Sequence, residues 1–205
     1  MLQGKARGAS GDNFTQIANH LIQNIDLKLK EIKNNKEISH YKFKNVYSDL
    51  PNWDAFTEYI EFSKTAGNYR SDSEGFYILH TDAELHDLSK FPNIKDFKKY
   101  VTEMYEDENL NGVGLTFVIS EYSINDQNKV TGIVKHFDDQ DTIHLGCIGR
   151  SSWKIFDKDD NIVDQFLIEP GDILFTRQGT THEVFSLDKR AACILSMDKD
   201  GAEYK

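Results

Sequence analysis

His136, Asp138 and His182 are the side chains whose types and spacing speak most directly of chemistry. The first two belong to His136-Phe137-Asp138, and the third closes the run Gly179-Thr180-Thr181-His182. Successive side chains of an extended strand point to opposite faces, so His136 and Asp138 share one face and Phe137 takes the other. Two imidazoles and a carboxylate on one side of a divalent ion leave the opposite coordination positions open to small molecules. A His-x-Asp triplet recurs by chance in many chains. Its weight therefore depends on whether the surrounding elements can bring His182 to the same point.

Those elements read as a mainly β half. Strands are expected near Val113 to Ser123, Val130 to Phe137, Ile143 to Cys147, Ser152 to Asp157, Ile162 to Ile168, Asp172 to Thr176, Thr181 to Ser186 and Arg190 to Met197. Turn signals separate them: Asn125-Asp126, Asp159-Asp160-Asn161, Pro170-Gly171, Gln178-Gly179 and Asp188-Lys189. Many short strands at this spacing predict a sandwich or barrel, in whose mouth residues from distant strands converge. Parity predicts Trp153, Phe175, Val184 and Ile194 buried between two sheets. The competing reading is a jelly roll whose interior histidines only satisfy hydrogen bonds.

Two stretches carry a resemblance. His136-Phe-Asp-Asp-Gln-Asp-Thr-Ile-His-Leu-Gly-Cys-Ile-Gly-Arg-Ser-Ser-Trp-Lys-Ile-Phe156 resembles the central segment of Jumonji-type (JmjC), cupin-fold 2-oxoglutarate oxygenases. In that family the His-x-Asp pair is followed by a Gly, a short basic stretch and a Trp leading into a strand. Glu169-Pro-Gly-Asp-Ile-Leu-Phe-Thr-Arg-Gln-Gly-Thr-Thr-His182-Glu-Val looks like the family's second element, ending in the distal His. The nearest flavour is the bacterial ribosomal-oxygenase branch, and the likeness spans roughly Thr116 to Met197. It implies a double-stranded β-helix, the cupin jelly roll, with N-terminal helices packed on one sheet. It also implies Fe(II) held by His136, Asp138 and His182, and 2-oxoglutarate as co-substrate.

One position departs from the pattern. The family places Lys or Arg two residues before the Trp, to pair with the distal carboxylate of 2-oxoglutarate, and this chain has Ser151. A serine donates one hydrogen bond but cannot supply a charge-assisted, bidentate contact. Arg150 and Lys154 are close by, but alternation turns both away from the face of Ser151 and Trp153. Arg190, which opens the strand after His182, is the first candidate for a replacement anchor, and Arg177 on the preceding strand is the second. Tyr122 could contribute a hydroxyl to the same ligand. His144 could face the barrel interior, while Asp139 and Asp141 crowd the motif as loop carboxylates or as partners of a ligand histidine.

The first half reads as helical support. Phe14, Ile17, Leu21, Ile25, Leu29 and Ile32 recur at helical spacing, and further helices are expected over Trp53 to Lys64, capped by Asn52, and over Ile94 to Tyr105. A strand is expected at Phe76 to Leu79, a mobile loop at Gly67 to Gly75 and a polar linker at Glu106 to Gly112. Residues 1–12 are expected to be disordered, with 13–205 a single domain: 13–112 helical support and 113–205 the jelly-roll core. Net charge is −10, which argues against non-specific nucleic-acid binding. No segment has the length of a membrane span or a signal-peptide core, and Cys147 and Cys193 lie in apolar strand patterns as reduced core residues, so a cytoplasmic location is expected. The expected partner is a protein or small-molecule substrate, and a homodimer is compatible with the sequence. These readings converge on an Fe(II)- and 2-oxoglutarate-dependent hydroxylase. The alternative is a metal-binding cupin module that has lost its co-substrate.

Overall fold

The computed structural model describes residues 25–66, 69–73, 76–81, 91–106, 110–120 and 132–199. Expectations for residues 1–12, for Phe14 to Leu21 and for Tyr122 lie outside these residues. Three helices are described: α1 (25–34), α2 (Trp53–Ala66) and α3 (Pro92–Met104). The strands are β1 (His40–Phe43), β2 (Tyr69–Ser73), β3 (Phe76–Thr81), β4 (Leu110–Ser120), β5 (Gly132–His136), β6 (Asp141–Ile148), β7 (Ser151–Phe156), β8 (Ile162–Ile168), β9 (Ile173–Thr176), β10 (His182–Ser186) and β11 (Arg190–Lys199). They form a seven-stranded sheet in the order β1-β9-β6-β11-β4-β3-β2 and a four-stranded sheet in the order β5-β10-β7-β8. All the pairings are antiparallel. The fold is mainly β, two antiparallel sheets facing each other as a cupin jelly roll, and β4 to β11 follow the strand pattern expected from Val113 onward.

Burial along each strand shows which layers cover it. β6 is buried along nearly its whole length because both faces of its sheet are covered, one by helices and one by the second sheet. β7 and β10 alternate between buried and half-buried residues, since the outer face of the four-stranded sheet meets water. The larger core lies between the seven-stranded sheet and the helices. Ile25, Leu29 and Ile32 of α1 and Ile94, Phe97 and Val101 of α3 present helical stripes to Leu115, Phe117, Ile143, Leu145 and Leu195. Phe117 is its aromatic centre, with edge-on contacts to Phe56 at 5.4 Å and Tyr59 at 4.7 Å. Such pairs add about 0.5–1.5 kcal/mol each beyond area burial. Asn52 caps α2 as expected, its Oδ1 accepting from the Ala55 amide at 3.1 Å.

Several expectations change. Trp153 and Val184 do lie between the sheets, with Ile168 and Leu174. Phe175 is fully buried too, but in the helix-covered core, because β9 turns Ile173 and Phe175 outward and Leu174 and Thr176 inward. Ile194 is half-buried on a cavity wall. The expected loop at 67–75 contains β2, which pairs with β3, and the expected linker at 106–112 already holds the start of β4. β1, unread in the sequence, adds to the sheet edge beside β9.

Candidate metal centre and its cavity

β5 and β10 are neighbours, and their register sets His182 directly opposite His136. A bulge in this pairing, one register step displaced between His182 and Val184, re-aims the end of β5. Asp138 follows two residues later, and its carbonyl accepts from the Gly179 amide at 2.9 Å, tying the His-x-Asp segment to the turn before His182. Gly179 has φ of +79°, a left-handed conformation that glycine adopts without a Cβ clash. The same turn is held by Asp141, which is fully buried and accepts from the Gln178 amide at 2.8 Å and from Arg177 Nη1 at 3.2 Å. Asp141 is thus a buried anchor of the turn, not a solvated loop carboxylate. Asp139 is exposed.

The three expected ligand residues come together, with their donor atoms all within 4.8 Å of one another. His136 Nε2 and His182 Nε2 each lie 3.8 Å from an oxygen of Asp138. An ion contacting each donor at roughly 2.1 Å can bridge that separation. Each imidazole also has its other nitrogen fixed by the backbone. His136 Nδ1 donates to the Val134 carbonyl at 2.8 Å, and His182 Nδ1 donates to the Thr180 carbonyl at 2.9 Å. Those contacts place the protons on Nδ1 and leave both Nε2 lone pairs for a metal. Burial lowers the pKa of His182, with the nearby His136 acting the same way, which keeps the ring neutral. The indole of Trp153 stacks on His182 at 5.2 Å and 20° and fixes the plane of the ring. The donor set and its second contacts fit a divalent metal of the facial type.

The triad opens on a cavity of about 280 Å³ between the two sheets. Away from the ligands its wall is formed by Gly149, Ser151 and Arg190. Arg190 is 5 % exposed and faces inward at the start of β11. Its Nε donates to Ser120 Oγ at 3.1 Å and to Ser186 Oγ at 3.0 Å, and the two hydroxyls lie 2.5 Å apart. Among the described residues no carboxylate pairs with it. Burial lowers its pKa to about 10, so it stays cationic at neutral pH. Ser151 Oγ accepts the indole N–H of Trp153 at 3.0 Å and keeps its own proton to donate. Among the described residues, this end of the cavity is rich in donors and holds no counter-anion.

The other basic candidates point elsewhere. Arg177 faces away from the cavity, donating to the carbonyls of Ile32, Asn35 and Ile38 and pairing with Asp141. It clamps α1 to the turn that carries His182. Its parity could have revealed this, since Arg177, the residue just past β9, keeps the outward parity of Phe175 and lies over its ring. Arg150 pairs with Asp188 and Lys154 with Glu183, both on the outer face. His144, buried on β6, does line the cavity.

No family model and no curated protein matches this chain. Among solved structures it is similar to YcfD, a ribosomal oxygenase from Escherichia coli, at 13% identity and a TM-score of 0.59, over 85% of this chain and 52% of that one. It is similar to YcfD in complex with cobalt and 2-oxoglutarate at 14% identity and a TM-score of 0.58, over 85% and 52%. For YcfD with cobalt and succinic acid the values are 16% and 0.52, over 80% and 49%. This chain therefore spans about half the length of those structures. What is shared at such identities is the fold, a cupin jelly roll like that of a JmjC-type oxygenase. Among the described residues, no helix is long and apolar enough to cross a membrane.

Proposed function

We propose that this chain is an Fe(II)- and 2-oxoglutarate-dependent oxygenase that hydroxylates a protein side chain or a small molecule. The observation that carries the reading is one cavity with a two-histidine, one-carboxylate triad at one end and, at the other, a buried guanidinium with no carboxylate partner among the described residues. Burying an unpaired guanidinium is unfavourable, so its position favours an anionic ligand. His136, Asp138 and His182 would hold the metal, and Arg190 would take the distal carboxylate. Ser151 would add one hydrogen bond, in place of the basic residue that resembling proteins carry there. When bound, the metal and oxoacid together supply oxidising chemistry: 2-oxoglutarate and O2 yield succinate and CO2 while a substrate C–H bond is hydroxylated.

The chain's own part is positioning and exclusion of water. The Val134 and Thr180 carbonyls hold the ligand rings with Nε2 toward the metal position, and the stacked indole of Trp153 limits the motion of His182. Arg190, charged at neutral pH, orients an oxoacid in a low-dielectric cavity where its field is weakly screened. The complex of similarly folded YcfD with cobalt and 2-oxoglutarate supports this reading. Ser151 favours the second reading, a metal-binding module without the co-substrate. Calorimetry of Ni(II)-loaded protein with 2-oxoglutarate and with its stable analogue N-oxalylglycine separates the two. Saturable binding of both is expected, and the absence of heat with either would leave the module.

A further inference from the structure

His144 belongs neither to the triad nor to the Arg190 end, yet it is buried in the wall between them. It lies on β6 opposite Ile194, four residues along β11 from Arg190 and on the same inward face. Its ring is 4.7 Å from that of Trp153 and 6.4 Å from that of His182. Nε2 is engaged by Thr142 Oγ1 at 2.9 Å, and Thr142 Oγ1 is also 2.5 Å from Thr176 Oγ1. Nδ1 has no hydrogen-bond partner among the described residues and opens on the cavity.

Proton counting fixes the direction of this chain. Each threonine hydroxyl has one proton to donate. If His144 Nε2 carried the ring proton, Thr142 would accept it and donate to Thr176, leaving the buried Thr176 hydroxyl proton without an acceptor. Reversed, Thr176 donates to Thr142, Thr142 donates to Nε2, and each hydroxyl proton is used. An unsatisfied buried donor is unfavourable, so the second arrangement prevails. The ring proton then sits on Nδ1, facing the cavity. Burial, together with the nearby His182 and Arg190, holds the pKa of His144 well below the usual imidazole value, so the ring is neutral. A neutral Nδ1–H is a donor and cannot accept.

We infer that His144 is a specificity-determining residue of this cavity, donating from Nδ1 to an oxygen of the oxoacid held between Arg190 and the metal ligands. The inference rests on the oxygenase reading above and adds a residue to it. With Arg190 and Ser151 it makes the ligand-facing polar wall one of donors, which suits an acceptor-rich ligand and disfavours an amine or amide nitrogen at the same place.

Asparagine places its amide nitrogen near the position of Nδ1, glutamine places its own near Nε2, and phenylalanine keeps the shape with no polar atom. Ni(II)-loaded His144→Asn, His144→Gln and His144→Phe would be titrated with N-oxalylglycine by calorimetry, with metal content and thermal melting measured on each. His144→Phe and His144→Gln should bind about tenfold more weakly than wild type, and His144→Asn within about threefold, a hydrogen bond to a charged acceptor having that order of effect. Metal content should be unchanged in all three. Wild-type affinity in His144→Phe would overturn the inference, and so would His144→Asn binding as weakly as His144→Gln. If His144→Phe does not fold, the Asn and Gln pair decides. A wild type that binds metal but no N-oxalylglycine would instead remove the oxygenase reading.

Discussion

Replacing Arg190 by methionine should make the ligand-free protein more stable and the liganded protein less so. Burial drops the guanidinium from its ordinary 12.5 to about 10. At about 1.4 kcal/mol per tenfold change in proton affinity, this corresponds to roughly 3 kcal/mol of unfavourable desolvation of the charged form. A base with a depressed folded pKa carries that penalty at every pH below the folded value, where it is protonated in both states, so it is fully present at neutral pH. Methionine fills much of the same volume without charge. The change also removes the Nε donor from Ser120 and Ser186, a loss of about 1–2 kcal/mol softened by the bond those hydroxyls make to each other. The net expectation is a gain of about 1–2 kcal/mol, a rise of a few degrees in melting temperature for a chain of this size. The opposite should hold with ligand. At a hundredfold excess over Kd, 2-oxoglutarate should stabilise metal-loaded wild type by about 2.7 kcal/mol, and Arg190→Met should lose at least tenfold in affinity and with it about half of that shift or more. Urea unfolding of metal-free protein and thermal melting of loaded protein, with and without 2-oxoglutarate, check both halves. A variant that is destabilised without ligand and keeps the full ligand shift would refute the assignment of Arg190 as an anion anchor.

His136→Ala and His182→Ala should abolish binding of about one Fe(II), Ni(II) or Zn(II) per chain, and Asp138→Ala should leave partial affinity; near-normal metal content by elemental analysis in both His variants would remove the triad. Trp153→Ala should destabilise by roughly 3–5 kcal/mol in urea unfolding, as for other buried large aromatics, because the indole fills the space between the sheets against His144 and His182. A loss below about 1 kcal/mol would contradict that packing. His144 and His182 are both held below the usual imidazole value by burial. The unfolded chain therefore takes up protons near pH 6.5 that the folded chain does not. Stability of the metal-free protein should be full above about pH 7 and fall as pH drops through about 6.5 toward the depressed folded values. His144→Phe should flatten that slope in melting curves, and an unchanged slope would exclude His144 as a contributor.

Much of this protein is legible from its sequence because the relevant patterns are local. Apolar alternation broken by Pro170-Gly171 or Asp159-Asp160-Asn161 marks strands, and the two-residue step from His136 to Asp138 puts them on one face whatever the tertiary context. The helices are legible for the same reason, from Ile25, Leu29 and Ile32 or Ile94, Phe97 and Val101 at helical spacing. β1 is hard to read because the alternation of His-Tyr-Lys-Phe runs for only four residues, and β2 because Tyr-Arg-Ser-Asp-Ser has a single apolar residue. Each lies at a sheet edge, and pairing with β9 or β3 makes it a strand. Period-two alternation separates two faces but does not say which layer each face meets. That is why Phe175 was expected between the sheets when it packs under the helices. The same ambiguity left Arg177 and Arg190 as rival anchors until β9 turned one toward α1 and β11 turned the other into the cavity. Sequence thus determined the chemical types and the order of the strands. Only the tertiary structure decided which nitrogen of each histidine faces the site and which arginine meets a carboxylate and which enters the cavity, because both depend on backbone carbonyls and carboxylates brought close by pairing distant segments.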